Sequence, residues 1–216
     1  MQTSEPEVMV DVNEGENHLK ATVQTGNYSA IGIGPGIGTH PETAQMVKLV
    51  IQSTSLPLVI DADAINILAE NKTWIAFLKR GCIFTPHPRE FERLAGKSKN
   101  DIERLQKQKE FAVKTQNYIV LKGAHTAIAC PDGEVYFNTT GNPGMATAGC
   151  GDVLTGIITG LLAQGYGPKQ ACILGVYIHG LAGDIAAGYL GQDSLVARDI
   201  IYNLGNAFLT ITDVST

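Results

Sequence analysis

Short apolar runs alternate with longer stretches of helical period through the first two thirds of the chain. Ser29–Gly34 (SAIGIG), Leu58–Asp61 (LVID), Cys82–Thr85 (CIFT) and Tyr118–Leu121 (YIVL) are brief, rich in branched side chains and closed by Gly, Asp, Thr or Lys. That pattern predicts buried strands running into loops. Between them, Pro41 to about Thr54, Ala64–Asn71, Pro88–Leu94 and Asn100–Thr115 read as helices. Thr39 is the expected N-cap of the first, with Pro41 in its first turn. Thr126–Ala129 and Glu134–Phe137, split by Pro131-Asp132-Gly133, predict a hairpin. Val8–Val12 (VMVDV) alternates and predicts a short edge strand. Beyond Asp152 the period is helical only, over about 152–164, 169–189 and 196–211.

Strands alternating with helices imply right-handed βαβ crossovers and a mostly parallel sheet. The all-helical tail would cover one face, which gives an α/β fold of three layers. No linker, repeat or low-complexity stretch divides residues 1–216, so one domain is expected. Ligands of such sheets sit beyond the carboxyl ends of the strands. The motifs below all fall there, or at a helix start.

Composition narrows the function classes. The 216 residues carry 16 Lys+Arg and 21 Asp+Glu, a net charge of −5, which is no footprint for nucleic acid. The 24 glycines exceed the usual share of about 7% and imply many close backbone approaches or left-handed turns. Cys82, Cys130, Cys150 and Cys172 form no CxxC pair, so reduced thiols in a cytoplasmic setting are expected. No uninterrupted apolar run reaches the roughly 18–20 residues of a membrane span. Met1–Val12 reads neither as a signal peptide nor as a transit peptide.

The richest chemistry lies in Asn142–Gly156, NPGMATAGCGDVLTG. Gly149, Cys150 and Gly151 open an apolar helix, whose free N–H groups make an anion site. Asp152 in the first turn is favoured as a carboxylate by the helix dipole and would serve as a base beside a bound phosphate; the bland alternative is a turn with a capping Asp. Thr85-Pro86-His87-Pro88-Arg89-Glu90 is either a proline-bounded helix start or a ligand-contacting His. Lys122-Gly123-Ala124-His125-Thr126 follows a strand, where Lys122 can neutralise phosphate; a plain turn with a solvated Lys is the alternative. Gly32–Gly38 (GIGPGIG) is not a dinucleotide fingerprint, because Pro35 interrupts it and no acid follows about 20 residues on. Asp61-Ala62-Asp63 ends a strand; its carboxylates could hold Mg²⁺ through water, or Asp63 could cap the next helix. His179, in an apolar helix, reads as a packed histidine.

NPGMATAGCGDVLTG resembles the signature of ribokinase-like small-molecule kinases, most closely the NAD(P)H-hydrate dehydratase branch. TPHPxE, KGxxT, GPGIG and DADAIN resemble motifs of the same branch, with Cys150 where Ser or Thr is usual. The resemblance implies a ribokinase-like three-layer fold and a hydro-lyase that returns the S-epimer of NADHX or NADPHX to NADH or NADPH, using ADP or ATP, with Mg²⁺. It assigns Asp152 as catalytic base, and Gly36, His87, Asn142 and Asp152 to the substrate. Lys122, Gly123, Ala124, His125, Thr126 and Gly151 go to the nucleotide, Gly149, Cys150 and Gly151 to the anion hole, and Glu90 and Asp61 to the metal. The alternatives are a kinase of a hydroxyethylthiazole or pyridoxal type and an inactive nucleotide-binding module. The family carries a strand, a Gly/Ala-rich turn and a helix before the matching stretch, which the chain is expected to lack. The exposed edge that would result predicts poor solubility or a homo-oligomer, a tetramer being compatible, and fusion to or pairing with an epimerase domain fits the same resemblance. Neither nucleic acid nor membrane is expected as a partner.

Overall fold

A computed structural model describes residues 5–13, 15, 18–20 and 25–213. Six strands form one sheet in the order β1 (Ile31–Ile33), β2 (Leu58–Ile60), β3 (Ile83–Phe84), β4 (Tyr118–Leu121), β5 (Ala127–Ala129) and β6 (Val135–Phe137). The first four pair in parallel and the last two antiparallel, as the crossover and hairpin signals require. The helices between them are α1 (Pro41–Ser53), α2 (Ala62–Glu70), α3 (Pro88–Ala95) and α4 (Asp101–Thr115). After the hairpin come α5 (Cys150–Ala163), α6 (Pro168–Leu190) and α7 (Ala197–Asp213). Two 3₁₀ turns, Lys72–Phe77 and Pro143–Met145, had no period to announce them.

Side chains on a strand alternate between faces, so a sheet covered on both sides needs apolar residues at every position. Leu58, Ile60, Phe84, Ile119 and Leu121 pack with Met46, Ile65, Leu68 and Phe91 of α1–α3. Their neighbours Val59, Ile83, Val120 and Ile128 pack on the other face against Leu154, Ile158 and Leu161 of α5 and Val176 of α6. α7 then lies on α6 through a third cluster that includes Ile178, Ala182 and Ile200. α6 has the length and composition of a membrane-crossing helix; here it is a packed helix of the outer layer, half of its most apolar window being buried.

Three expectations are corrected. Val8–Val12 forms no strand: it is irregular and its valines are exposed, because no neighbouring strand offers it a ladder. The N-cap of α1 is His40, not Thr39; its Nδ1 accepts from the Glu42 N–H at 3.3 Å. The N-cap of α2 is Asp61, not Asp63, with Oδ1 accepting from Ala62 N–H at 2.8 Å.

Candidate active site

The carboxyl ends of β1–β4 gather the chemistry on one rim. β1 runs directly into Gly34, at φ +134°, where a Cβ would stand 1.8 Å from the Asp61 carbonyl oxygen. Only glycine lets the two strand ends approach this closely. Gly34→Ala is therefore expected to cost about 3 kcal/mol or more, since the clash is with backbone, and a thermal melt of the variant reads it. The loop continues through Gly36 and Gly38, both at positive φ and both exposed. Asp63 Oδ2 accepts from the Gly38 N–H at 2.9 Å and so holds this loop.

A cavity of about 570 Å³ lies beside the loop, walled by Gly34, Ile37, Met46, Asp152, Gly156 and Thr159 among others. It brings the glycine loop and Asp152 to one space, although 114 residues of chain separate Gly38 from Asp152. The Asp152 carboxylate is exposed and accepts no hydrogen bond among the described residues. Partial burial pushes its pKa up; the carboxylates of Asp61 and Asp63 act the same way and Lys122 opposes them. The helix dipole expected to keep this acid ionised is thus countered, which makes Asp152 a stronger base than a free carboxylate.

Gly149, at φ +87°, turns the chain into α5. The Cys150 N–H is used on the Thr147 carbonyl at 3.4 Å, while those of Gly151 and Asp152 have no acceptor among the described residues. Of the three amides expected to form an anion site, Gly149 to Gly151, that of Cys150 is thus used up, while the Gly149 N–H, like those of Gly151 and Asp152, has no acceptor among the described residues. The Cys150 side chain is buried, where burial raises the thiol pKa, so it makes no hydroxyl-like contact there. A Cβ at Gly151 would meet Lys122 Nζ at 3.1 Å, so the lysine lies directly over the helix start.

Lys122 Nζ pairs with Asp61 Oδ1 at 2.8 Å, and Asp61 Oδ2 accepts from the Thr155 hydroxyl at 2.6 Å. Asp61 is fully buried and is held by protein donors on both oxygens, so it is not presented as the metal ligand expected of it. Glu90 is likewise absorbed. Its Oε2 accepts from the His87 N–H at 2.7 Å, while His87 Nδ1 accepts from the Arg89 and Glu90 N–H groups, a capping box that starts α3. Among the described residues no group of three or more His, Cys, Asp and Glu side chains is arranged to hold a metal. A resident Mg²⁺ centre does not fit this donor set.

Other expected residues stand along the rim rather than on the cavity. Gly123, Ala124 and His125 form an exposed turn closed by Thr126 Oγ1 on the Gly123 carbonyl at 3.2 Å. The Lys122 N–H donates to the Pro86 carbonyl at 2.9 Å, tying that turn to the His87 loop. Asn142 bonds inward: its Nδ2 donates to Asp184 Oδ1 at 2.9 Å and its Oδ1 accepts from Gly144 N–H. The sequence reading missed Asp184 and Thr155. Thr155 follows Gly151 by one helical turn, and Asp184 shares its helix with Gly180 and Gly183, whose missing Cβ atoms make room for Thr140 and Met145. Those spacings were the available signals.

His179 Nε2 lies 2.9 Å from the Cys150 carbonyl and buttresses the start of α5 from behind, as a packed histidine. Burial lowers its pKa to about 4 from a usual 6.5. Below pH 6.5 the unfolded chain binds a proton that the folded chain refuses, so stability falls between pH 6.5 and 4, by up to about 3 kcal/mol. Urea midpoints measured across that window should show the fall, and His179→Gln should remove this part of it.

The family model described as NAD(P)H-hydrate dehydratase matches residues 1–204. A bifunctional NAD(P)H-hydrate repair enzyme of Moorella thermoacetica is 47% identical over 173 residues, 79% of this chain and 33% of that protein. The chain thus spans about a third of the length of that relative. An ADP/ATP-dependent NAD(P)H-hydrate dehydratase of Bacillus subtilis, co-crystallised with ATP and Mg²⁺, superposes with TM-score 0.77 at 35% identity, covering 88% of this chain and 68% of that one. A ribokinase-like superfamily protein of Enterococcus faecalis superposes with TM-score 0.65 at 32% identity, covering 83% of this chain and 63% of that one.

Proposed function

The chain belongs to the NAD(P)H-hydrate dehydratase family, with a ribokinase-like fold, and from that premise we propose that it dehydrates the S-epimer of NADHX or NADPHX at the expense of ADP or ATP. The observation that carries the reading is Asp152: a carboxylate of raised pKa on a cavity wall, with no hydrogen-bond partner among the described residues, beside the open amides of α5. Asp152 takes the proton of the substrate's C6 hydroxyl, whose oxygen attacks the terminal phosphoryl group of the nucleotide. The Gly151 and Asp152 N–H groups and Lys122 face the charge that develops there. The new phosphate ester then leaves as phosphate, restoring the dihydronicotinamide and releasing AMP from ADP, or ADP from ATP.

In this reading Gly36, in the loop whose neighbours Pro35 and Ile37 wall the cavity, and His87, on the rim outside its lining, contact the substrate. Lys122 to Thr126 receive the nucleotide. Mg²⁺ comes as the counter-ion of the nucleotide phosphates, in keeping with its preference for phosphate and water oxygens. We read residues 1–216 as one catalytic unit that works in the cytoplasm, its four thiols free, and that functions beside an epimerase domain.

The test is purified protein with NADH hydrate and either ADP or ATP, followed by dihydronicotinamide absorbance. Recovery of NADH with release of phosphate supports the reading. Phosphorylation of a hydroxyethylthiazole or of pyridoxal without turnover of the hydrate would replace it with a kinase, and nucleotide binding without either reaction would leave a binding module.

A further inference from the structure

A second cavity, of about 700 Å³, opens at the other end of the sheet. Arg80 and Gln116, on its wall, stand just ahead of the amino ends of β3 and β4. The Gly81 N–H donates to the Gln116 carbonyl at 2.9 Å and holds that end together. The rim with Lys122 lies beyond the carboxyl ends of the same strands. One face of α4 forms a wall, because Lys107, Glu110, Phe111 and Lys114 recur at i, i+3, i+4 and i+7. The 3₁₀ turn Lys72–Phe77 contributes Lys72 and Ile75, and Leu78 and Leu94 extend the apolar lining. Phe111 is set edge-on to Phe84 and Phe91, at centroid distances of 6.0 and 6.1 Å. The lining is thus anchored in the core and formed before any ligand arrives, and the volume falls in the roughly 300–1,000 Å³ of small-molecule sites.

The charge on this cavity is one-sided. Lys72, Arg80, Lys107 and Lys114 stand against Glu110 alone, in a chain whose net charge is −5. Glu103 engages Lys107 at 3.0 Å. Lys72, Arg80 and Lys114 are exposed and pair with no carboxylate among the described residues. Surface charges ordinarily interleave in sign. Here like charges gather on an apolar lining, and their mutual repulsion is a cost that a bound anion would remove. The lining calls for an apolar body and the cations for an anionic head. Three cations without partners suit the charge of about −2 on a phosphate monoester better than a single carboxylate.

We propose that this cavity binds a small amphipathic phosphate ester, its apolar body on Phe111, Leu78 and Leu94 and its phosphate among Lys72, Arg80 and Lys114.

1-Naphthyl phosphate carries both parts and serves as the probe, titrated by calorimetry into the whole protein with ADP and Mg²⁺ present to occupy the rim. It should bind, and rising NaCl should weaken it. 1-Naphthol and inorganic phosphate, each with one part only, should bind at least about tenfold more weakly. Arg80→Glu/Lys114→Glu, altered at exposed positions, should weaken the ester by about tenfold or more. Ala76→Trp, at an exposed alanine on the wall, should fill the cavity and abolish binding. If the double variant fails to fold, Ala76→Trp alone decides. An ester that does not bind overturns the proposal. So does equal binding of naphthol or of inorganic phosphate, or binding that the folded variants leave unchanged. Turnover of the hydrate is no readout in this test, so its outcome is independent of the reading of the rim.

Discussion

Asp152→Asn should lower conversion of the hydrate by about three orders of magnitude, the range over which a positioned base contributes. The substitution keeps the side chain's size and removes its capacity to take a proton. Because the carboxylate is exposed and holds no hydrogen bond among the described residues, little else depends on it. Thermal stability should stay near the wild-type value, and ADP affinity measured by calorimetry should stay or rise as a negative charge leaves the phosphate site. An Asp152→Asn enzyme with wild-type turnover would remove Asp152 from the chemistry and with it the mechanism above.

Asp61→Ala should be the most destabilising single change on the rim. It leaves the Lys122 ammonium, only about one-fifth exposed, without its partner. It also strips the Thr155 hydroxyl of its acceptor and α2 of its N-cap. Breaking a buried pair on one side costs about 3–5 kcal/mol, to be read from urea denaturation at neutral pH. Asp61→Asn keeps an oxygen for Thr155 or for the cap and should cost less. The same variant has a kinetic signature. Asp61 is one of the negative charges that raise the pKa of Asp152, and without it Lys122 turns wholly to Asp152. The pKa of Asp152 then falls, so the acid limb of the kcat/KM profile should move to lower pH. A limb that stays in place would show that Asp61 does not act on the base.

The sheet, its direction and the late helices were legible in the sequence because β2 to β5 are short apolar runs buried on both faces and the segments between and after them keep a helical period. Val8–Val12 misled because alternation predicts a strand only where a neighbour exists to pair with it. The first carboxylate of Asp61-Ala62-Asp63 looked available for a metal, and its partners, Lys122 and Thr155, lie 61 and 94 residues away. No local pattern reports such pairing. Asn142 likewise looked like a ligand until α6 supplied Asp184. The expected residues that the structure does bring to one rim are those set by local sequence: glycines at a helix start, an acid in the first turn, a glycine loop after a strand.

The four cysteines are distributed in a way that has a practical consequence. Cys82 lies in the layer of α1–α4, Cys130 and Cys172 between the sheet and α5–α6, and Cys150 in the cluster beneath α7. All are buried and burial raises the pKa of each thiol, so none reacts from the closed state. Alkylation kinetics resolved by peptide mass would therefore report, separately for each layer, how often that part of the molecule opens. The native thiols are a set of built-in clocks for the order in which the three layers come apart.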